Sequence, residues 1–371
     1  MRSYLSRIEL SPLVMSSKSI KKAPLYQPGI GPVCFMVSLW IVLVLCACNP
    51  SGNPTGQPPK TTLAPSPAVI SATSTATPVP VVNQIVLVAP PEVKSPAPQD
   101  VQAALSNLGK SAGLSVDTVP SIQPADIKPG WKVVVLLGSP ANLSDLTKAA
   151  PATQFILIGP GDLSGTGNLS VVRLNVEQQA FLAGYLAETI APDWRVGGLL
   201  PNDLVQAADL ESSFLNGGYY QCGRCDPVNG PIVHFPQSAT LPSNSDPSAW
   251  QAAADDMEKN VINVMYVAPE ASSPALLADL VGKGMILVGG QTPPAAIKSK
   301  WAATVRQDAL ASLRSIWPDV IAGKGGMTVN AQLQLADINA DLFSAGRQRL
   351  VNQTMDDLQA GFIDPLSIPL Q

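Results

Sequence analysis

Val133-Val134-Val135-Leu136-Leu137 and Phe155-Ile156-Leu157-Ile158 are uninterrupted apolar runs, with a helix-like interval between them beginning near Asn142 or Ser144. A strand with one wet face alternates polar and apolar residues, whereas these runs bury both faces, as strands of a helix-covered parallel sheet do. The same reading extends outward. Ile85-Val86-Leu87-Val88 is a buried strand, Val101 to Leu108 an amphipathic helix, and Leu114 to Val119 an alternating strand. Val171 to Leu174 reads as a further strand, and Glu177 to Ile190 as a helix.

The alternation then restarts. Arg195 to Leu200 predicts a strand, Asp209 to Tyr220 a helix, Ile232 to Phe235 a strand and Ala249 to Lys259 a helix. Ile262 to Val267, Pro274 to Gly282 and Met285 to Val288 continue as strand, helix, strand. Two βα series of similar size predict an α/β protein of two Rossmann-like lobes, each with a parallel sheet. The last stretch supplies strands at Ala302–Val305 and Gln332–Leu335, and helices at Asp308–Ala322 and Ser344–Gly361. That is too little for a third lobe, so it is shared between the first two through a multi-crossover hinge. Crossings are expected near Leu174–Glu177, Gly289–Thr292 and Gly323–Thr328. Lobe 1 is accordingly 83–175 with 291–325, and lobe 2 is 176–290 with 326–371.

Upstream, the apolar run Val33 to Ala47 follows Arg2, Arg7, Lys18, Lys21 and Lys22, with Glu9 as the one acid. At 15 residues it is short for a bilayer span, which needs roughly 20, and it suits the apolar core of an export signal. Its end, Leu45-Cys46-Ala47-Cys48, resembles the bacterial lipobox, which implies cleavage before Cys48 and lipidation of its thiol. Residues 1–47 are then a lipoprotein signal peptide. Residues 48–82, rich in Pro, Ser and Thr, form a tether with a reach of about 30 Å as a coil and roughly 100 Å as polyproline II. The expected location is the extracytoplasmic face of a bacterial cell membrane, held by lipid. Two acyl chains on one residue anchor firmly where one does not.

Composition narrows the function. Beyond residue 47 there remain 18 basic and 26 acidic residues, a net charge of −8 with no basic cluster, so nucleic acid is not an expected partner. Cys222 and Cys225 are the two cysteines that neither leave with the signal nor carry lipid. An even pair in an exported domain points to a disulfide. Free thiols, redox work or metal binding remain alternatives for the Cys222-Gly-Arg-Cys225 spacing. The one histidine, His234, falls on an apolar strand, no Gly-x-Ser-x-Gly elbow exists, and Gly323-Lys-Gly-Gly326 is not a phosphate loop. Asp255-Asp256 and Asp356-Asp357 fall mid-helix as solvated faces. No catalytic residue, cofactor or metal site is assigned, and the chain is read as a non-enzyme.

The stretch Asn175-Val-Glu-Gln-Gln-Ala-Phe-Leu-Ala-Gly-Tyr-Leu-Ala187, followed by Arg195-Val-Gly-Gly198, resembles the basic membrane lipoprotein (BMP) family. Phe214-Leu-Asn-Gly217, Ala303-Thr-Val-Arg-Gln-Asp308 and Leu358-Gln-Ala-Gly361-Phe-Ile-Asp-Pro365 are similar to further family patterns. The resemblance covers roughly 84–368. It implies a type I periplasmic-binding-protein fold and a substrate-binding lipoprotein serving an ABC importer, several members carrying nucleosides. Independently of it, Ala180, Ala183, Gly184 and Ala187 make a smooth helix face suited to lying close to a sheet. Two family features are replaced here. Ala89 to Pro96 stands where the family has Asp and Asn or an aromatic, and Val288-Gly-Gly-Gln291-Thr292 stands where it has an acid for a ribose.

Ligands of open α/β sheets bind beyond the carboxyl ends of the strands. Those ends carry Pro90 and Glu92, Ser139, Gly159 with Asp162, Asn202 with Asp203, Ala268 with Glu270, and Gln291. Ser139, Asn202, Glu270 and Gln291 are the first candidates for ligand binding, followed by Phe181 near the crossover. Each also has a plainer reading, Ser139 and Asp162 as helix caps and Phe181 as core. The expected ligand is a small polar molecule, a nucleoside among the candidates, passed to an ABC permease. The alternative is a ligand-free or sensory surface lipoprotein that binds a partner.

Overall fold

In the computed structural model, which describes residues 83–204, 207–228, 230 and 233–367, neighbouring residues of β1 (Gln84–Val88) enter different cores. Ile85 and Leu87 pack on one face of the sheet, Val86 and Val88 on the other. That division is what an apolar run without alternation dictates, since successive side chains point to opposite faces. The chain continues through α1 (Pro98–Ala112), β2 (Ser115–Val119), β3 (Trp131–Leu137), α2 (Leu143–Ala149), β4 (Gln154–Pro160) and β5 (Leu169–Leu174). α1 carries Pro98 and Asp100 in its first turn and Lys110 in its last, the order that favours a helix start and a helix end.

The second series is α3 (Val176–Ile190), β6 (Val196–Pro201), α4 (Ala207–Cys222), β7 (Gln237–Leu241), α5 (Pro247–Glu258), β8 (Val264–Val267), α6 (Pro274–Gly282), β9 (Ile286–Gly289) and β10 (Trp301–Gln307). The chain closes with α7 (Ala309–Ile321), β11 (Thr328–Asn330), β12 (Leu333–Ala336) and α8 (Ala345–Gln359). Two six-stranded sheets result, ordered β11-β5-β4-β3-β1-β2 and β12-β10-β9-β8-β6-β7. All pairings are parallel except β10 with β12, which is antiparallel. Edge strands β2, β7 and β11 are half-exposed and rich in polar residues, as unpaired edges require. Among the described residues no helix is long and apolar enough to cross a membrane.

The sheets exchange the chain at three places. It leaves the first sheet after β5 and enters α3, which packs on α4, α8 and the second sheet. The second crossing lies at Gln307–Ala309, not at Gly289–Thr292. β10 still belongs to the second sheet, whereas α7 buries Leu313, Ile316 and Trp317 against the first. The third lies between β11 and β12, after the expected Gly323–Thr328, because Thr328 to Asn330 adds a parallel edge strand beside β5. Residues 291–307 therefore fold with the second sheet, and 326–330 with the first.

Two further expectations are corrected. The strand expected at Ile232–Phe235 starts after Pro236 instead, at Gln237, because proline lacks the amide a ladder needs. Ile232 itself lies outside the described residues. Phe235 is fully buried beneath Arg195, whose guanidinium stands 5.8 Å from its ring centroid, while His234 is exposed in a loop. The small face of α3 makes its closest approach to a helix rather than a sheet. A Cβ at Gly184 would stand 2.1 Å from the Phe214 carbonyl oxygen of α4.

Candidate functional site

The carboxyl ends of both sheets open onto one cavity of about 390 Å³. From the first sheet, the loop after β1 brings Glu92, Val93 and Lys94, β3 ends at Gly138 and Ser139, and β4 at Gly159 and Pro160. Gly138 has φ +78° and turns the chain sharply off β3, a conformation that favours glycine. From the second sheet, β6 leads to Pro201 and Asp203, and β8 supplies Tyr266 and, just beyond its end, Glu270. Val176, Gln179 and Ala180 at the start of α3 form the wall where the sheets meet.

Three carboxylates, Glu92, Asp203 and Glu270, stand among the polar groups, which also include Lys94, Ser139 and Gln179. Asp203 is fixed on the β7 side, accepting from the Ser243 amide at 2.8 Å and from its hydroxyl at 2.9 Å. Burial pushes the Glu270 carboxyl above the usual range. Its own backbone amide opposes that, Asp203 adds to it, and Lys94 draws it back. The Tyr266 hydroxyl is likewise driven up by burial and by Glu270, with the neighbouring Gln179 side chain opposing the shift. The remaining surface is apolar, including Ile158, Leu174, Leu200 and Leu210. Such a cavity suits a ligand with an apolar body and ammonium or hydroxyl donors at one end.

Lys94 borders two more recesses. One, of about 330 Å³, is lined by Gln291, Arg306, Gln307 and Asp308. The other, of about 790 Å³, forms the mouth beside Glu92, Asp203, Ser243 and Glu270. Behind the cavity the three crossings are laced together. The Gln307 side-chain oxygen accepts from the Asn175 amide at 2.6 Å, and its amide nitrogen donates to Gln179 at 3.4 Å. The Ala331 amide donates to the Arg173 carbonyl at 2.9 Å, and the Asp308 amide to the Gln332 carbonyl at 2.8 Å.

Of the residues predicted from the sequence, Ser139 and Glu270 meet in the cavity from opposite sheets. Ser139 does not cap α2; Asn142 holds that position, and its side chain donates instead to Ile122 and Gln123. Gln291 sits in the adjoining recess. Asn202 is exposed, its backbone amide donating to Leu241, while the flanking Pro201 and Asp203 face the cavity. Phe181 is sealed in the core with its ring 5.6 Å from that of Tyr220, so it does not reach a ligand. Gln179 and Tyr266 escaped the sequence reading. Their signals were slight: Gln179 lies in the polar first turn of α3 beside Glu177 and Gln178, and Tyr266 carries a polar tip inside an otherwise apolar strand. Cys222 and Cys225 form a disulfide, and the anchor residue Cys48 lies outside the described residues.

This two-sheet architecture is a type I periplasmic-binding-protein-like fold. The chain is similar to an ABC transporter solute-binding protein from Conexibacter woesei, at 17% identity and TM-score 0.58, covering 78% of this chain and 98% of that one. A solute-binding protein of an ABC transporter system from Aeropyrum pernix gives 14% identity and TM-score 0.58 over 76% and 92% of the two chains. A transcriptional activator of the comK gene from Bacillus halodurans is similar at 11% identity and TM-score 0.56, over 75% and 98%. At such identities the likeness concerns the fold. No protein-family model and no curated protein matches the sequence.

Proposed function

We propose that the chain is a membrane-anchored solute-binding lipoprotein that captures a small polar ligand between its two halves and delivers it to an ABC permease. The observation that carries this reading is the open cavity walled by the carboxyl ends of both sheets, with all three crossings behind it. A ligand touching Ser139 and Glu270 at once favours the closed arrangement over the open one, which is how binding becomes a signal to a permease. The fold of the solute-binding proteins from Conexibacter and Aeropyrum supports it, as does the resemblance of residues 175–198 to BMP lipoproteins. Glu92, Asp203 and Glu270 favour a ligand with hydroxyl or ammonium donors on an apolar body, and a nucleoside meets that description. Cys48 carries the lipid, and residues 49–82 hold the body off the membrane.

The test is native mass spectrometry of the purified protein, followed by small-angle scattering with a panel of nucleosides, sugars and amines. A bound small molecule, or a ligand-induced decrease in radius of gyration, supports the reading. No bound species and no response across the panel overturns it. The alternative, a ligand-free or sensory surface lipoprotein that binds a partner, would be supported by a filled, apolar cleft and removed by tight binding of a purified small molecule.

A further inference from the structure

The carboxyl of Glu188 on α3 is fully buried, and neither of its oxygens has a hydrogen-bond partner among the described residues. Buried polar groups are otherwise nearly always paired, so an orphaned acid calls for an explanation. Its surroundings supply one. A carboxyl oxygen of Glu188 and the sulfurs of Cys222 and Cys225 all lie within 4.8 Å of one another. The two sulfurs are not equivalent. Cys222 is half-buried at the end of α4, whereas Cys225, in a left-handed turn with φ +48°, is 1% exposed. Cys222 is therefore the more accessible to an attacking group, and the sulfur then released, Cys225 Sγ, lies within 4.8 Å of the acid.

We propose that Cys222–Cys225 is a thiol–disulfide exchange site, with Cys222 the sulfur attacked, Cys225 the leaving sulfur and Glu188 the acid that protonates it. The reductant is an external dithiol. One of its thiols, as thiolate, attacks Cys222 Sγ; a new S–S bond forms, the Cys222–Cys225 bond breaks, and Cys225 Sγ leaves with the electron pair. The Glu188 proton passes to that sulfur. The second thiol of the donor then displaces Cys222 from the mixed disulfide. The donor ends as a disulfide and the protein as a dithiol, two electrons having moved. The two protons lost by the donor balance those gained at Cys222 and Cys225, with Glu188 re-protonated from solvent.

Burial favours the protonated acid, and its pKa is pushed up to about 9 by burial alone. The other titratable groups described beside it are the two cysteines and Tyr219 on α4, whose hydroxyl is raised first by burial and then by Glu188. Without an acid, a thiolate would be released into apolar surroundings, which burial penalises.

The test is reduction of the folded, oxidised protein by dithiothreitol, with the peptide carrying both cysteines followed by alkylation and mass spectrometry. Rates are normalised to dithiothreitol thiolate. Glu188→Gln is expected to slow reduction at neutral pH by at least about tenfold and to give a flat pH profile. The wild-type rate is expected to hold at lower pH and to fall toward the variant's through the Glu188 titration. Equal rates for both proteins, a flat wild-type profile, or a disulfide that reacts only after unfolding in urea would each overturn the proposal. Should Glu188→Gln fail to fold by circular dichroism, the wild-type profile decides alone.

Discussion

Gly184 of α3 lies against the backbone of α4 so closely that a Cβ there would stand 2.1 Å from the carbonyl oxygen of Phe214. The contact is reciprocal along the same helix pair, since a Cβ at Gly217 would stand 1.9 Å from the Phe181 carbonyl oxygen. Neither neighbour is a flexible side chain, so the helices themselves must separate. Gly184→Ala and Gly217→Ala should each destabilise the fold by about 1–3 kcal/mol, the range for overpacking. Gly282, with nothing within 4 Å of its Cβ position, is the control and should shift stability by no more than about 0.5 kcal/mol when changed to Ala. Urea denaturation of the three variants checks this.

Glu270 makes the empty protein sensitive to pH. Its folded pKa is raised above the unfolded value, so its contribution to stability is fully present below the ordinary carboxylate range. That contribution is lost as pH rises through the folded pKa. Glu270→Gln should remove this dependence and raise the melting temperature of the empty protein at neutral pH. The same variant should lose the thermal shift produced by any ammonium-bearing or hydroxyl-rich ligand found by mass spectrometry. A melting curve series across pH, with and without that ligand, separates the two effects.

Lys283 ties α5 to α6 by meeting Asp255, Glu258 and Asp279, the last two at 2.9 and 3.0 Å. Lys283→Met leaves those acids facing each other and should cost on the order of 1 kcal/mol, less at high salt. Lys283 holds the Asp255 carboxyl below its usual range. The stability this supplies is present above the unfolded carboxylate pKa and disappears as pH falls through the lowered folded value. Wild type and variant should therefore converge on acidification, as read by chemical denaturation at several pH values.

Gln307 is the side chain that pins the first crossing to the second, through the Asn175 amide at 2.6 Å. Gln307→Ala leaves that half-buried amide unpaired and should cost about 1 kcal/mol. It should also broaden the distance distribution between the halves in small-angle scattering, with the secondary structure unchanged by circular dichroism.

Cys48→Ser removes the thiol that lipidation requires. Expressed in a bacterial host with its signal segment, the variant should move from the membrane pellet to the soluble fraction and lose metabolic labelling by a fatty acid. Retention of the variant in the membrane would count against lipid anchoring at this residue.

The strands at the centre of each sheet were legible because their residues all face apolar cores. Val133 to Leu137 has no alternation to misread, and its burial on both faces is observed. The edges were not. β7 is Gln-Ser-Ala-Thr-Leu and half-exposed throughout, so the more apolar segment before Pro236 drew the reading. β11 is three residues long, below what periodicity detects. Crossings depend on which sheet accepts β10, a long-range pairing with β9 and β12 that leaves no local mark. In the cavity, Ser139 and Glu270 were found because strand ends are predictable. Gln179 and Tyr266 were not, because a polar first turn is ordinary for a helix and strand interiors are normally given to packing. Phe181 lies on the same helix as Gln179 but is directed to the core.

The three crossings also bear on how such a protein can be divided or recombined. The first sheet takes its β11 edge and its α7 cover from a segment threaded between β10 and β12 of the second. No single cut in the gene releases either half with a complete sheet. A fragment ending at Leu174 would expose β5 as a bare edge and uncover Ile158 and Val172 where α7 packs. The two halves are thus not interchangeable cassettes, and a new specificity has to arise by substitution within an undivided chain or by exchange of the whole body.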